Sequence, residues 1–229
     1  MTPDALTSLE LFVGLAPAEL EAVLRLARVR RMPKDAQIFA QGDAALHAHA
    51  LIHGSVSIRQ SGSDGGDVVM RFIGPGEMFG TVALFTDGLY PADAVMLADS
   101  LEVSWGKADL FALMERYPTI AINVIRIIGK RLQEAQERVR ELSTQRVEQR
   151  VAHAVMRLAR QAGLSTLDGT AIEFPLRRKD VADLSGTTLH TASRILTAWE
   201  KAGLVASHHQ HLIIRKPAEL LHIADDWTP

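Results

Sequence analysis

The chain has 229 residues, 47% of them hydrophobic, no cysteine and a formal net charge of -2 at pH 7. That length holds one large or two modest domains with well-formed cores. The missing cysteines exclude disulfides, thiolate zinc sites and cysteine-ligated iron–sulfur clusters; no run of eighteen apolar residues is present to span a membrane, and Met1-Thr2-Pro3-Asp4 opens no secretory signal, so a cytoplasmic protein is expected.

Leu6, Leu9, Phe12 and Leu15 are spaced as a short amphipathic helix. Pro17-Ala18-Glu19-Leu20 opens a second helix with Leu20, Val23, Leu24 and Ala27 inward. From about Met32 the pattern changes to short apolar runs punctuated by glycine, at Gly42, Gly54, Gly62, Gly65-Gly66, Gly74, Gly76, Gly80 and Gly88. Residues 50–52, 55–58, 68–73, 94–97 and 101–105 read as strands. Many short strands with evenly spaced turns predict a small antiparallel barrel or sandwich.

Residues 107–117 form another amphipathic helix, ended near Tyr117-Pro118. A long helix over about 119–142 follows, roughly 36 Å in length. Ile125, Ile128, Leu132, Ala135, Val139 and Leu142 alternate spacings of three and four along it, which is a heptad seam. A stripe this narrow buries little within its own domain, so its expected partner is the same helix of a second subunit. The competing reading is a long core helix of a monomer. Ile120, Val124 and Ile128 widen the stripe at its start, where the helix is expected to pack on the barrel.

A further helix covers about 146–162, with Val147, Val151, Ala154, Val155 and Leu158 inward. Residues 164–170 read as a loop and 171–176 as a short strand. Two short helices then meet at Gly186. Val181 and Leu184 face inward on the first; Ala192, Ile195, Leu196 and Trp199 do so on the second, with Thr188 as its N-cap. This is a helix-turn-helix, the alternative being an αα-hairpin inside an ordinary helical domain. Residues 204–206 and 212–214 pair as a hairpin across His208-His209-Gln210, which completes a winged helix. The outward residues at the start of the second helix are Leu189, His190, Thr191, Ser193 and Arg194, with Arg194 able to bond a guanine O6 and N7 together. Arg177, Arg178, Lys179, Thr187, Thr188 and the wing are expected on phosphates.

Charge follows the same division. Residues 1–118 carry nine Lys and Arg against fifteen Asp and Glu, whereas residues 146–218 carry eleven against six. Only the back of the chain is suited to a polyanion. The expected parts are residues 1–118 as an effector domain, 119–145 as dimerisation helix and linker, and 146–229 as the DNA-binding domain.

His47, His49 and His53 alternate along one strand, so all three are expected on one face. Imidazole is a frequent haem or metal ligand, but a polar, solvated strand face accounts for the pattern more simply. His208, His209 and His211 cluster at the wing, where phosphate contact is expected over metal binding. No nucleophile–base pair, paired carboxylates or His-Glu-x-x-His spacing is present, so neither catalysis nor a metal centre is expected. Gly74-Pro75-Gly76-Glu77-Met78-Phe79-Gly80 precedes no helix and reads as a turn, not a nucleotide fingerprint.

The order of β-roll, long helix and winged helix resembles the cyclic-AMP receptor protein and fumarate–nitrate regulator superfamily of bacterial transcription factors. The resemblance spans nearly the whole chain, through Phe72-Ile73-Gly74-Pro75-Gly76-Glu77-Met78-Phe79-Gly80, Gln41-Gly42-Asp43, His53-Gly54-Ser55-Val56 and Lys130-Arg131-Leu132-Gln133. It implies an α+β protein: an antiparallel cyclic-nucleotide-binding-like β-roll, a dimerisation helix and a winged helix-turn-helix. It implies a homodimer reading a near-palindromic operator in double-stranded DNA and working with RNA polymerase.

The departures bear on the effector. Cyclic-AMP-binding members carry a ribose-binding glutamate where this chain has Thr81, after Gly80 and before Val82. Their phosphate-binding Arg-Ser pair aligns with Pro91-Ala92, and their adenine-binding Thr-Ser pair with Ala135-Gln136. A phosphate without arginine loses its bidentate, charge-assisted partner, so cyclic AMP is not the expected effector. The segment from Leu189 to Arg194 followed by Trp199-Glu200 resembles members regulating denitrification and nitric-oxide responses, some of which bind haem. Haem therefore stands as a candidate cofactor, and a haem-based sensor of nitric oxide or carbon monoxide as the alternative function. A cyclic-nucleotide module attached to an enzyme is a third reading, disfavoured by the absence of catalytic residues.

Overall fold

The computed structural model describes residues 1–62, 66–208 and 211–225. They form two compact units, one of Met1–Asp67 and Arg71–Ala135, the other of Val68–Met70 and Gln136–Pro229. The boundary between the units falls inside the long helix, between Ala135 and Gln136.

In the first unit the chain opens with two 3-10 turns, Pro3–Leu6 and Glu10–Phe12, where an amphipathic helix was expected. The physical reason is the strict spacing of three between Leu6, Leu9 and Phe12. It eclipses on a 3-10 turn and drops all three side chains into the core. Helix α1 is Pro17–Arg25, with Glu19 Oε2 accepting the Ala16 N–H at 2.7 Å.

Eight strands follow. They are β1 Arg28–Met32, β2 Gln37–Phe39, β3 His47–His53, β4 Val56–Ser61, β5 Asp67–Ile73, β6 Met78–Phe79, β7 Asp93–Met96 and β8 Ser100–Gly106. They make two antiparallel four-stranded sheets, β1-β8-β3-β6 and β2-β7-β4-β5. Strands β1, β2 and β6 were not legible as such. Two of them have only two or three residues, and β1 reads Arg-Val-Arg-Arg-Met, with too few apolar positions to signal a sheet.

The β1-β8-β3 ladder sorts side chains by face. Ala48 opposes Trp105, Ala50 opposes Val103, and Val29 opposes Val103 on its other side. This face is core at Ala48, Ala50, Val103 and Trp105, whereas Val29 at its edge is exposed; Trp105 meets Phe12 edge to face at 4.8 Å and donates its indole N–H to Val23 O at 3.0 Å. On the opposite face His49 lies across from Ser104, Leu51 from Glu102, Arg30 from Glu102 and Arg28 from Ser104.

Helix α2, Lys107–Arg116, leads to α3, Pro118–Thr144. The start of α3 packs on the β-roll as expected, with Ile120, Val124 and Ile127 buried. Asn123 fixes this contact, donating from Nδ2 to Leu11 O at 3.0 Å and Val13 O at 2.9 Å.

The second unit holds the end of α3, then α4 Val147–Ala162, β9 Gly163–Thr166, β10 Gly169–Ile172, α5 Arg178–Ser185, α6 Leu189–Lys201, β11 Val205–His208, β12 His211–Ile214 and α7 Pro217–Asp225. The sheet order is β11-β12-β10-β9. The stretch expected as a loop at 164–170 is instead the β9–β10 hairpin. Every residue of β9 is exposed, so it lacks the alternation that announces a half-buried strand. Helix α7 was not expected. The wing hairpin is present, with His209 and Gln210 outside the described residues. No described helix is long and apolar enough to cross a membrane.

Candidate functional site

The helix-turn-helix is built as the spacing predicts. Val181 and Leu184 on α5, and Ala192, Ile195, Leu196 and Trp199 on α6, are buried. Gly186 ends α5 at φ +62°, the left-handed conformation in which a side chain is strained. A Cβ there would also overlap Leu142 Cδ2. Thr188 caps α6, its Oγ1 accepting the Thr191 N–H at 3.2 Å. Leu189, His190 and Arg194 are exposed at the start of α6, with Thr191 and Ser193 half-buried beside them. One face of that helix therefore carries hydrogen-bonding side chains and a guanidinium, free of the core.

The cations flanking it differ from the simple expectation of phosphate contacts. Arg178 donates from Nη1 to Ser193 O at 2.7 Å and Thr197 Oγ1 at 2.8 Å, and from Nη2 to both Glu200 oxygens at 3.0 and 3.1 Å. It ties α5 to α6, and any phosphate contact competes with that tie. Arg177 caps α5 with Asp180, whose carboxylate accepts from its backbone N–H and from Nε and Nη2. This pairing holds the guanidinium pKa above its usual value. Lys179 Nζ lies 2.5 Å from Asp183 Oδ1. Thr187 is half-buried beside the turn, and Thr188 is exposed.

Behind these helices, Arg150 gathers carbonyls at the end of α5. It donates from Nε to Ser185 O at 2.9 Å, from Nη2 to Gly186 O at 3.2 Å and from Nη1 to Gln145 O at 2.9 Å. Arg138 adds a bond to Asp183 O at 2.9 Å. Two guanidiniums thus answer orphan carbonyls where the helix dipole is negative. Trp199 Nε1 donates to Glu148 Oε1 at 2.9 Å, fixing α6 on α4.

The heptad seam stands out on α3. Ile125 is 70% exposed, Leu132 58%, Val139 64% and Leu142 45%, with Ile128 and Ala135 also exposed. The one-residue offset between the buried set (Ile120, Val124, Ile127) and this exposed set places them on different faces.

The residues expected to meet an effector are placed as follows. Gly80 follows β6 at φ +67°, and a Cβ on it would meet Tyr90, His49 and Phe39 at 3.0–3.2 Å. Thr81 is buried and donates from Oγ1 to Phe79 O at 3.4 Å; Val82 is 40% exposed. Pro91 is exposed and Ala92 buried; Ala135 and Gln136 are exposed on α3. None of them supplies a cation.

A different cavity, of about 180 Å³, opens on the polar face of the β1-β8-β3 sheet. It was missed from sequence because it joins β1, β3, β8 and the Asp43–Tyr90 loops across long stretches of chain. Its floor is a buried network. Glu102, fully buried, accepts from Arg30 Nε at 2.9 Å and lies 2.6 Å from His49 Nδ1. His49 Nε2 lies 3.2 Å from Tyr90 Oη, which donates to His47 O at 2.8 Å and whose ring stacks on Phe39 at 3.7 Å. Burial pushes the Glu102 carboxyl up, but the bonds from His49 and Arg30 more than reverse this and hold it below the usual range. Burial, with His49, Arg30 and Arg28 nearby, lowers the His47 pKa against the opposing pull of Glu102.

The three histidines of β3 therefore do not share a face. The register slips between Leu51 and His53, so His53 opposes Leu101 and is exposed, while His49 is buried and His47 half-buried. Both ring nitrogens of His49 are engaged, and the cavity is smaller than the roughly 300–1,000 Å³ of sites for larger organic ligands. These residues do not fit a haem. Among the described residues no group of three or more His, Cys, Asp or Glu could hold a metal ion.

Residues 29–117 match the cyclic nucleotide-binding domain family and residues 149–223 the Crp-like helix-turn-helix domain. The chain is 33% identical over 214 residues to the cyclic AMP receptor protein of Thermus thermophilus, covering 93% of this chain and 96% of that relative. It matches the crystal structure of the Thermus thermophilus catabolite activator protein with a TM-score of 0.55, over 94% of this chain and 98% of that one. The structure of FixK2 from Bradyrhizobium japonicum, 21% identical, matches in fold with a TM-score of 0.76 over 88% of this chain and 99% of that one.

Proposed function

Since this chain belongs to the cyclic-AMP receptor protein and fumarate–nitrate regulator superfamily of transcription regulators, we propose that it acts as a homodimer that reads a near-palindromic operator and is not switched by cyclic AMP. The observation that carries the dimer is the exposed seam from Ile125 to Leu142. Six apolar positions at heptad spacing gain their hydrophobic stabilisation only by meeting a like surface. A two-fold dimer sets its α6 helices on half-sites one helical turn apart, about 34–36 Å. His190, Ser193 and Arg194 then face base edges, and the cations around α5 and the wing face phosphates.

Against cyclic AMP stand Thr81, Pro91 and Ala92, which offer no charge to a cyclic phosphate. The relative named for that nucleotide is similar over 96% of its length, but the name speaks for that protein. Two measurements test the proposal together. Selection of bound sequences from random DNA should return an inverted repeat. Calorimetry should show no saturable binding of cyclic AMP at micromolar concentrations; a micromolar dissociation constant overturns the effector part, and a non-repeating consensus overturns the dimer part.

A further inference from the structure

We infer that the cavity on the β1-β8-β3 face binds a small organic carboxylate with an apolar body about the size of one benzene ring. The inference concerns the β-roll alone and does not rest on the DNA-binding reading.

The lining is divided between two chemistries. The basic side chains Arg28, Arg30 and His47 line it together with the apolar Ile38, Phe39 and Leu46. Arg30 spends Nε on Glu102, which leaves both Nη groups for a ligand. Arg28 lies one ladder step away on the same face, exposed, and makes no ion pair among the described residues. Two adjacent guanidiniums on one sheet face form a fork suited to a carboxylate. Leu46 is 60% exposed, an apolar side chain at the mouth of a charged cavity.

The charge count argues against a multiply charged anion. Glu102 offsets Arg30, and Asp43, whose Oδ2 accepts the Ala40 N–H at 2.9 Å, lies on the same lining. The lowered pKa of His47 keeps that ring neutral near pH 7. Asp43 stands against Arg28 in the same way, so the lining has no net positive surplus, and its pair of guanidiniums suits no more than a single carboxylate. Size argues for the body: a cavity of about 150 Å³ holds benzene, and this one is about 180 Å³. The floor is rigid, because His49, Glu102 and Tyr90 are locked to one another, so little ordering is required on binding. Gly80, Thr81, Pro91, Ala92, Ala135 and Gln136 are not among the residues lining the cavity, although Gly80 packs behind its Phe39, His49 and Tyr90.

The test is calorimetric titration of the full chain, without DNA, using benzoate as probe. Saturable binding with a dissociation constant below about 1 mM is expected. Acetate, which lacks the body, and benzyl alcohol, which lacks the charge, should each bind at least tenfold more weakly. Arg28→Ala should weaken benzoate at least tenfold. Arg31→Ala, which removes the same charge from the opposite face of β1, should change it less than twofold. Both residues are exposed, so both variants should fold. Absence of saturable benzoate binding, equal losses in the two variants, or inorganic phosphate binding more tightly than benzoate would each overturn the inference.

Discussion

Arg178 Nη2 lies 3.0 Å from Glu200 Oε2, so the first turn of α5 is bonded to the last turn of α6. Glu200 Oε1 also accepts from Ser207 Oγ at 2.6 Å, which adds the first wing strand. One carboxylate thus links three elements of the DNA-binding unit. Glu200→Gln should lower stability by about 1–2 kcal/mol, given partial exposure of the pair. The same change should weaken binding to operator and random DNA alike, because α6 is positioned and not read through this residue. Urea denaturation with parallel DNA titrations checks both parts.

Arg194→Ala should weaken operator binding more than binding to random DNA, since one bidentate arginine–guanine pair carries roughly 1–3 kcal/mol of discrimination. Lys179→Ala should weaken both alike and make the salt dependence shallower by about one unit of slope, after allowance for the lost Asp183 pair. Equal loss on both DNAs in Arg194→Ala would make that residue a phosphate contact.

Leu132→Glu places a charge in the middle of the exposed seam. Sedimentation should show monomers, and operator binding should fall with the loss of the paired half-sites. An unaltered dimer would place the subunit interface elsewhere. Because Leu132 is 58% exposed, folding of each unit should survive, as read by circular dichroism.

Glu102 makes stability depend on pH with a defined sign. Its folded pKa lies below the ordinary glutamate value of 4.5, so the unfolded chain binds its proton first as pH falls. The stabilisation is complete above that value and is lost as pH drops through the folded pKa. His47, lowered from 6.5, adds a loss of the same sign that begins at milder acidity. Glu102→Gln should cost about 2–4 kcal/mol at pH 7 by leaving Arg30 and His49 unpaired. It should also flatten the acid limb of unfolding free energy against pH; an unchanged acid limb would remove Glu102 from the account.

The DNA-binding helices were legible because their signals are local. Thr188 as N-cap, Gly186 at the turn and the 192, 195, 196, 199 stripe all lie within a few residues of what they specify. The seam on α3 was legible for the same reason. The β-roll was legible as a class from its glycine spacing, but β1 was not, since its arginines serve a face defined only by β8, some 72 residues later at the Arg30–Glu102 pair. The face of His53 was misread because strict alternation fails at a one-residue slip, and nothing local marks the slip after Leu51. The Arg178–Glu200 tie was hidden in the same way: both residues were visible, but only the crossing of α5 and α6 sets them together.

Arg150 holds the end of α5 by two carbonyls and the chain before α4 by a third. Together with Arg178 and Trp199 it braces α5, α6 and α4 against one another. Opening the angle between α5 and α6 would break these bonds together, so the pair is built as one stiff piece, like the cut of a key that its blade holds fixed.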